Sequence, residues 1–268
     1  MQQFKFHRKD LNLFGEQHVK MVYNQAHFSK FIQRPFSSNA FSEQIKGKSK
    51  EFTIEKRQIL VASLKNQYSR VSANENAISL IESLSSENTF TVTTGHQLSL
   101  FTGPLFFVIK ILQTIKQAEE LNIQYPDKKF IPVYWMATED HDFQEIQKAN
   151  IFSDELIWES SQEGPVGRFD LDGLEIVKSR ISELYANNPE SEIHSLINTY
   201  NGTNLTEAMR NLVHSLFHDF NLIIVDGDDA VLKSVFAPIM KKELETSFSE
   251  KAVLETNGEL EKVGGKVQ

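Results

Sequence analysis

One stretch of apolar residues at helical spacing separates two β-like runs, and this arrangement restricts the fold more than any other feature of the chain. The stretch opens at Pro104 and contains Leu105, Phe106, Phe107, Val108, Ile109, Ile111, Leu112, Ile115, Ala118 and Leu121; the runs are residues 89–93 and 130–137. A strand, a long helix and a second strand in this order predict parallel neighbours with both following loops at the same edge of the sheet. Proline suits the first helical position, and the narrow polar stripe predicts a helix that is mostly buried. A third run, Leu222-Ile223-Ile224-Val225, stands between two helical stretches. The first of these opens on Asn204 with Glu207 at the capping-box position and has an apolar face of Leu205, Ala208, Met209, Leu212, Val213, Leu216 and Phe217. The predicted fold class is therefore α/β around a parallel sheet.

Loops that leave parallel strands share the carboxyl edge of the sheet, where open α/β sheets bind ligands. The first loop, Thr94-Gly95-His96-Gln97 through Gly103-Pro104, is longer than the ~2–6 residues usual for such a connection. Gly95 would allow a tight turn, and Gly103 would leave the N–H groups of the helix start open to a phosphate, a carboxylate or a carboxyl adenylate. The competing account is a long structural loop around a buried Phe101. Neither the dinucleotide-binding nor the Walker glycine pattern is present.

The second loop holds Glu139, Asp140, His141, Asp142 and Glu145, four carboxylates and an imidazole directly after a buried strand. Crowding and partial burial would spread their pKa values, as acid-base pairs require. His141 could move a proton near neutral pH while a neighbouring carboxylate fixes its tautomer. Two alternatives remain open at this point: an acidic helix N-terminus, and a metal-dependent hydrolase site built from Asp140, His141 and Asp142.

The formal charge of −8 argues against a nucleic-acid partner, whose phosphates need Lys and Arg. The absence of cysteine excludes disulfides, thiolate nucleophiles and Cys-ligated zinc within the chain, so any thiol chemistry must come from a substrate. No segment approaches the ~18 apolar residues of a membrane span, and the N-terminus lacks a signal-peptide core; a cytoplasmic location and no membrane partner are expected. His214 and His218 are expected at the solvent edge of their helix, Asp226, Asp228 and Asp229 in a turn and helix cap, and Trp135 and Trp158 in the core. The pattern divides into an N-terminal helical region, 1–87, packed on a core, 88–268, with an α+β insertion at about 150–203. Residues 263–268 read as the start of an element with no turn or partner after it, which predicts a chain truncated after 268.

Together the two loops, with Leu100-Phe101-Thr102-Gly103-Pro104-Leu105 and 130–146 read in full, resemble the bacillithiol biosynthesis cysteine-adding enzyme family. The resemblance covers nearly the whole chain as the N-terminal half of a family member. It implies a Rossmann-like core and a ligase that joins L-cysteine through an amide to glucosaminyl malate in the last step of bacillithiol synthesis. It also implies a coiled coil beyond Gln268 that would make the full-length protein a homodimer; because amide formation needs an activated cysteine carboxylate, ATP or another activating nucleotide is the expected cosubstrate. Carried onto this sequence, the resemblance lines the pocket with Thr94, Gly95, His96, Gln97, Gly103, Glu139, Asp140, His141 and Asp142 and implies no metal; amide formation also needs a base to neutralise the glucosamine ammonium, and His141 with Asp142 is the pair expected to do it. His96 departs from the glutamine expected at its position. A non-catalytic metabolite-binding module is the remaining alternative.

Overall fold

The computed structural model describes residues 5–35, 37–69 and 75–267. In chain order its helices and strands are α1 (Glu16–Tyr23), α2 (Ala40–Glu51), α3 (Ile54–Tyr68), α4 (Glu75–Ser83), β1 (Thr89–His96), α5 (Leu105–Gln124), β2 (Lys129–Met136), α6 (Phe143–Ile146), β3 (Lys148–Ile151), β4 (Asp154–Ile157), α7 (Leu174–Leu184), α8 (Glu192–Thr199), α9 (Leu205–Leu216), β5 (Ile223–Asp226), α10 (Ala230–Thr246) and α11 (Phe248–Lys262). The chain divides into two compact units, Met1–Phe52 with Phe236–Gln268, and Thr53–Val235. In the first unit, Lys30 pairs with Glu259 at 3.2 Å and the His27 ring meets the Val263 carbonyl at 2.8 Å.

The second unit contains the predicted parallel sheet. Its order is β1-β2-β5, with β1 parallel to β2 from Thr89 beside Lys129 to His96 beside Met136, and β5 parallel to β2. Alternation along β2 and β5 fixes what each face meets. Ile131, Val133, Ile223 and Val225 face Leu64 and Tyr68 of α3 and Leu80 and Ile81 of α4. Tyr134, Met136 and Ile224 join Phe107, Ile111 and Ile115 of α5 and the buried face of α9. The same cluster takes in Ala149, Leu156, Trp158 and Val177, so the β3–β4 hairpin and α7 pack into it.

Side chains close the outer edge of β5. Ile224 N–H donates to the Tyr68 hydroxyl at 2.8 Å, Asp226 N–H donates to Gln67 Oε1 at 2.9 Å, and the Ile224 carbonyl accepts from Arg210 at 3.0 Å. An edge strand otherwise presents such groups to other chains.

Three expectations change. Helix α5 is not mostly buried: Phe107, Ile111, Ile115 and Leu121 are covered, but Leu105, Phe106, Ile109 and Leu112 are exposed, because only the sheet-facing side meets a packed layer. The Asn204 cap forms, accepting from Glu207 N–H at 3.0 Å, but the Glu207 carboxylate reaches back to Thr203 N–H at 2.8 Å. His214 does not lie at the solvent edge. Its ring packs edge-on to Tyr68 at 5.5 Å with Nε2 buried and without a partner among the described residues.

Burial, reinforced by the nearby Arg210 charge, lowers the His214 pKa from 6.5 to about 4. The unfolded chain takes up this proton near its ordinary pKa and the folded chain only near 4. Stability from this group is thus complete above about pH 6.5 and falls as the pH drops toward 4, by at most about 1.4 kcal/mol per pH unit. Urea midpoints at about pH 7 and about pH 5 should separate more for the parent protein than for His214→Leu; parallel losses would mean that the ring is not held neutral.

Candidate active site

Parallel pairing carries β1 further than the sequence pattern suggests. Thr94, Gly95 and His96 belong to the strand, opposite Tyr134, Trp135 and Met136, so the first loop begins at Gln97. Gly95 therefore makes no tight turn; a Cβ there would rest 3.7–3.8 Å from Trp135 in ordinary contact. The sharp geometry lies later, where Phe101, Thr102 and Gly103 have φ of 48°, 79° and 63°. A side chain at Gly103 would meet Ser99 Cβ at 2.6 Å, so glycine is required on both counts. Left-handed backbone at Phe101 and Thr102 costs of order 1 kcal/mol each. Contact of Phe101 with Tyr200, at 4.8 Å between rings, and the turn bond from Thr102 N–H to the Ser99 carbonyl at 3.0 Å hold the segment.

Gln97 brings the two loops together. Its side-chain amide donates to Asp140 Oδ2 at 3.0 Å and to Glu145 Oε2 at 2.6 Å. The other Asp140 oxygen accepts from the backbone of His141 at 2.7 Å and of Asp142 at 3.1 Å. Led by the Asp142 N–H and the Gln97 amide, these bonds hold the Asp140 carboxyl below the usual carboxylate range. Asp142 Oδ1 accepts from Glu145 N–H at 3.2 Å and caps α6. His141 and Asp142 are both exposed, and the His141 ring makes no side-chain hydrogen bond among the described residues. His96 turns the other way: its Nδ1 lies 3.0 Å from the Gln97 carbonyl and its ring sits edge-on to Phe107 at 5.3 Å. Lys110 of α5 donates to the Gly95 carbonyl at 2.5 Å and adds a cation at the end of β1.

The ends of β2 and β5 are joined as well. Thr138, fully buried, donates through its hydroxyl to the Asp226 carboxylate and accepts from Asp228 N–H at 2.8 Å. Trp135 is only partly buried: it packs against the Ile131, Val133, Ile223 and Val225 cluster, and its indole N–H donates to Glu139 at 3.4 Å. Trp158 is a core residue, 1% exposed. Backbone bonds from Val166 to the Asp140 carbonyl at 2.7 Å and from Gly167 to the Thr138 carbonyl at 3.0 Å lace the segment after Pro165 onto the second loop. Arg168 thereby reaches Asp228, with Nε at 2.5 Å and a terminal nitrogen at 3.1 Å, and Lys233 of α10 pairs with the same carboxylate. Burial alone would raise the Asp228 carboxyl, but these two cations outweigh it and keep it below the usual range. Asp229 caps α10, accepting from Val231 and Leu232 N–H at 2.9 Å each.

Of the residues singled out in the sequence, Gln97, Asp140, His141, Asp142 and Glu145 thus gather at one edge with Glu139, while Gly103 serves the turn before α5. Lys110, Arg168 and Lys233 carried no signal: none lies in a motif, and only folding brings them to the carboxyl edge. Among the described residues no group of three or more His, Asp or Glu side chains converges as metal ligands.

A model of the family described as "Bacillithiol biosynthesis BshC, N-terminal Rossmann-like domain" matches residues 6–268. The chain belongs to the BshC family. It is 45% identical over 219 residues to "Putative cysteine ligase BshC" of Flavobacterium johnsoniae, a match that covers 81% of this chain and 41% of that protein. The protein of the same name from Christiangramia forsetii is 34% identical over 268 residues, covering 97% of this chain and 49% of its own length. A third, from Staphylococcus carnosus, is 29% identical over 165 residues. The chain spans less than half the length of these curated BshC relatives. Its parallel sheet and mixed α/β content agree with a Rossmann-like BshC domain, and among the described residues no helix is long and apolar enough to cross a membrane.

Proposed function

We propose that this domain supplies the carboxyl-edge pocket of a ligase that joins L-cysteine to glucosaminyl malate through an amide bond, the last step of bacillithiol synthesis. The observation that carries the proposal is the Gln97 bridge: it fastens the two family loops to each other and leaves the His141 ring unengaged beside them. Family membership and the relatives' name support the substrate class.

Amide formation needs a cysteine carboxyl that carries a leaving group and an amine freed of its extra proton. ATP or another nucleotide would supply the leaving group when bound. The chain's own groups suit the remaining tasks. His141, exposed and free, would take the proton from the glucosamine ammonium, and the freed amine would then form the C–N bond at the activated cysteine carbonyl while the bond to the anionic leaving group breaks. Glu139, with one carboxylate oxygen buried and unpartnered among the described residues, would hold an ammonium. Lys110 and the open N–H groups at the start of α5 would face an anionic leaving group. Asp140 and Asp142 would act through the backbone, keeping the loop in shape around His141. In this mechanism the full-length protein would act as a homodimer in the cytoplasm.

In protein expressed from the whole reading frame, His141→Ala should lower the rate of cysteine addition by between about 10² and 10⁴-fold, the usual contribution of a positioned base, with an unchanged circular dichroism spectrum. Turnover equal to the parent by a folded variant would remove His141 from the mechanism. An unaltered protein that fails to join the two substrates at all, with ATP present, would remove the ligase proposal itself.

A further inference from the structure

Two cations share one carboxylate at the end of β5. Arg168 and Lys233 both pair with Asp228, whose side chain is only 9% exposed, while their own are 66% and 45% exposed. The carboxylate is thus the inner anchor, and the charged ends of Arg168 and Lys233 are what a molecule arriving at the edge meets. Among the described residues Asp228 is the one carboxylate with which both cations pair directly, and the charge of Asp226 also acts on Arg168. The neighbouring Asp226 carboxylate is occupied by the Thr138 hydroxyl and by Asp228 N–H at 3.0 Å. Arg168 uses Nε and one terminal nitrogen on Asp228, so its other terminal nitrogen remains available, as do further Lys233 hydrogens.

Placement ties this cluster to the site already described. The turn that carries Arg168 is bonded to the Asp140 and Thr138 carbonyls of the second loop, and Asp228 N–H is bonded to the Thr138 hydroxyl. An isolated exposed ion pair contributes little to stability, whereas a paired Arg and Lys held in fixed geometry suit a carboxylate or a phosphate.

We propose that Arg168 and Lys233, set on Asp228 at the carboxyl edge of β5, form a subsite for an oxyanion group of the substrates, a carboxylate or a phosphate. The identity of those substrates rests on the ligase reading above, which offers both kinds of group: the malyl carboxylates of the acceptor and the phosphates of an activating nucleotide.

The test is titration calorimetry on protein expressed from the whole reading frame, with L-malate, glucosaminyl malate, ATP and inorganic phosphate as separate probes. Arg168→Gln and Lys233→Gln should each weaken at least one class of probe tenfold or more, with unchanged circular dichroism. Loss confined to malate and glucosaminyl malate identifies the malyl carboxylates as the ligand; loss confined to ATP and phosphate identifies the nucleotide. Asp228→Asn keeps the shape of the anchor and removes its charge, so binding should persist or tighten. A merely structural tether predicts instead that Asp228→Asn fails as Arg168→Gln does, and that result overturns the subsite. So does binding of all four probes within twofold of the parent by both cation variants, or a parent protein that binds none of them. Tight, Arg168-dependent binding in a protein that never joins cysteine to glucosaminyl malate would retain the subsite and discard the ligase.

Discussion

In protein expressed from the whole reading frame, Gly227→Ala should lower the proposed cysteine-joining activity by about 100-fold or more and destabilise the fold by about 1–3 kcal/mol, the usual range for overpacking. A Cβ at this position would lie 2.2 Å from Glu139 Oε2, 2.8 Å from the Met136 carbonyl and 2.8 Å from the Trp135 indole nitrogen. The Glu139 carboxylate is the end of a flexible side chain and can move aside. The Met136 carbonyl cannot, because it already accepts from Gly227 N–H at 3.0 Å where β2 and β5 end side by side. The strand ends must therefore separate, and the second loop leaves β2 two residues later. Steady-state kinetics and urea unfolding on the single variant, and on its combination with Glu139→Ala, divide the effect. Removal of Glu139 should recover little stability if the backbone clash dominates. Parent-like activity and midpoint in Gly227→Ala would show that this close approach is not needed.

The largest loss of stability is expected at Arg210. Its guanidinium, 3% exposed, donates to the Ile224 carbonyl at 3.0 Å and to Gln67 Oε1 at 3.1 Å, and lies 5.3 Å from the centre of the Tyr68 ring. Arg210→Ala opens a cavity and leaves the Ile224 carbonyl buried without a donor, which together should cost about 3–5 kcal/mol. Arg210→Met fills most of the space and orphans the same carbonyl, so about 1–2 kcal/mol is expected. Tyr68→Phe, which removes the acceptor for Ile224 N–H, should cost a similar amount. Urea denaturation should rank the alanine variant lowest. Equal midpoints for the alanine and methionine variants would refute the cavity contribution.

Much of the core could be read from residue order. Continuous apolar runs at 130–137 and 222–225 with a long helix between strands have few solutions besides a parallel sheet, and that sheet is present. The two polar loops could be read because they interrupt those patterns with Gly, His and carboxylates at the strand ends. Other features were hidden for definite physical reasons. The extension of β1 through Gly95 and His96 depends on pairing with Trp135 and Met136, and local propensity does not contain that partner. The exposed side of α5 is as apolar in sequence as its buried side, so periodicity could not separate them. His214 flanks an apolar stripe like any solvent-edge histidine until Tyr68, 146 positions away, packs against it.

By itself, then, the sequence determined the order of the three parallel strands and the long helix between the first two, the edge at which the polar loops gather and the family to which they belong, because these follow from local periodicity and from contiguous motifs. Only the tertiary structure decided which side chains stand around those loops. Gln97 bonds to Asp140 and Glu145 across 43 and 48 positions, and Arg168 meets Asp228 across 60. Contacts of that separation are set by the packing of whole elements against the sheet, a property of the folded chain and of no segment within it.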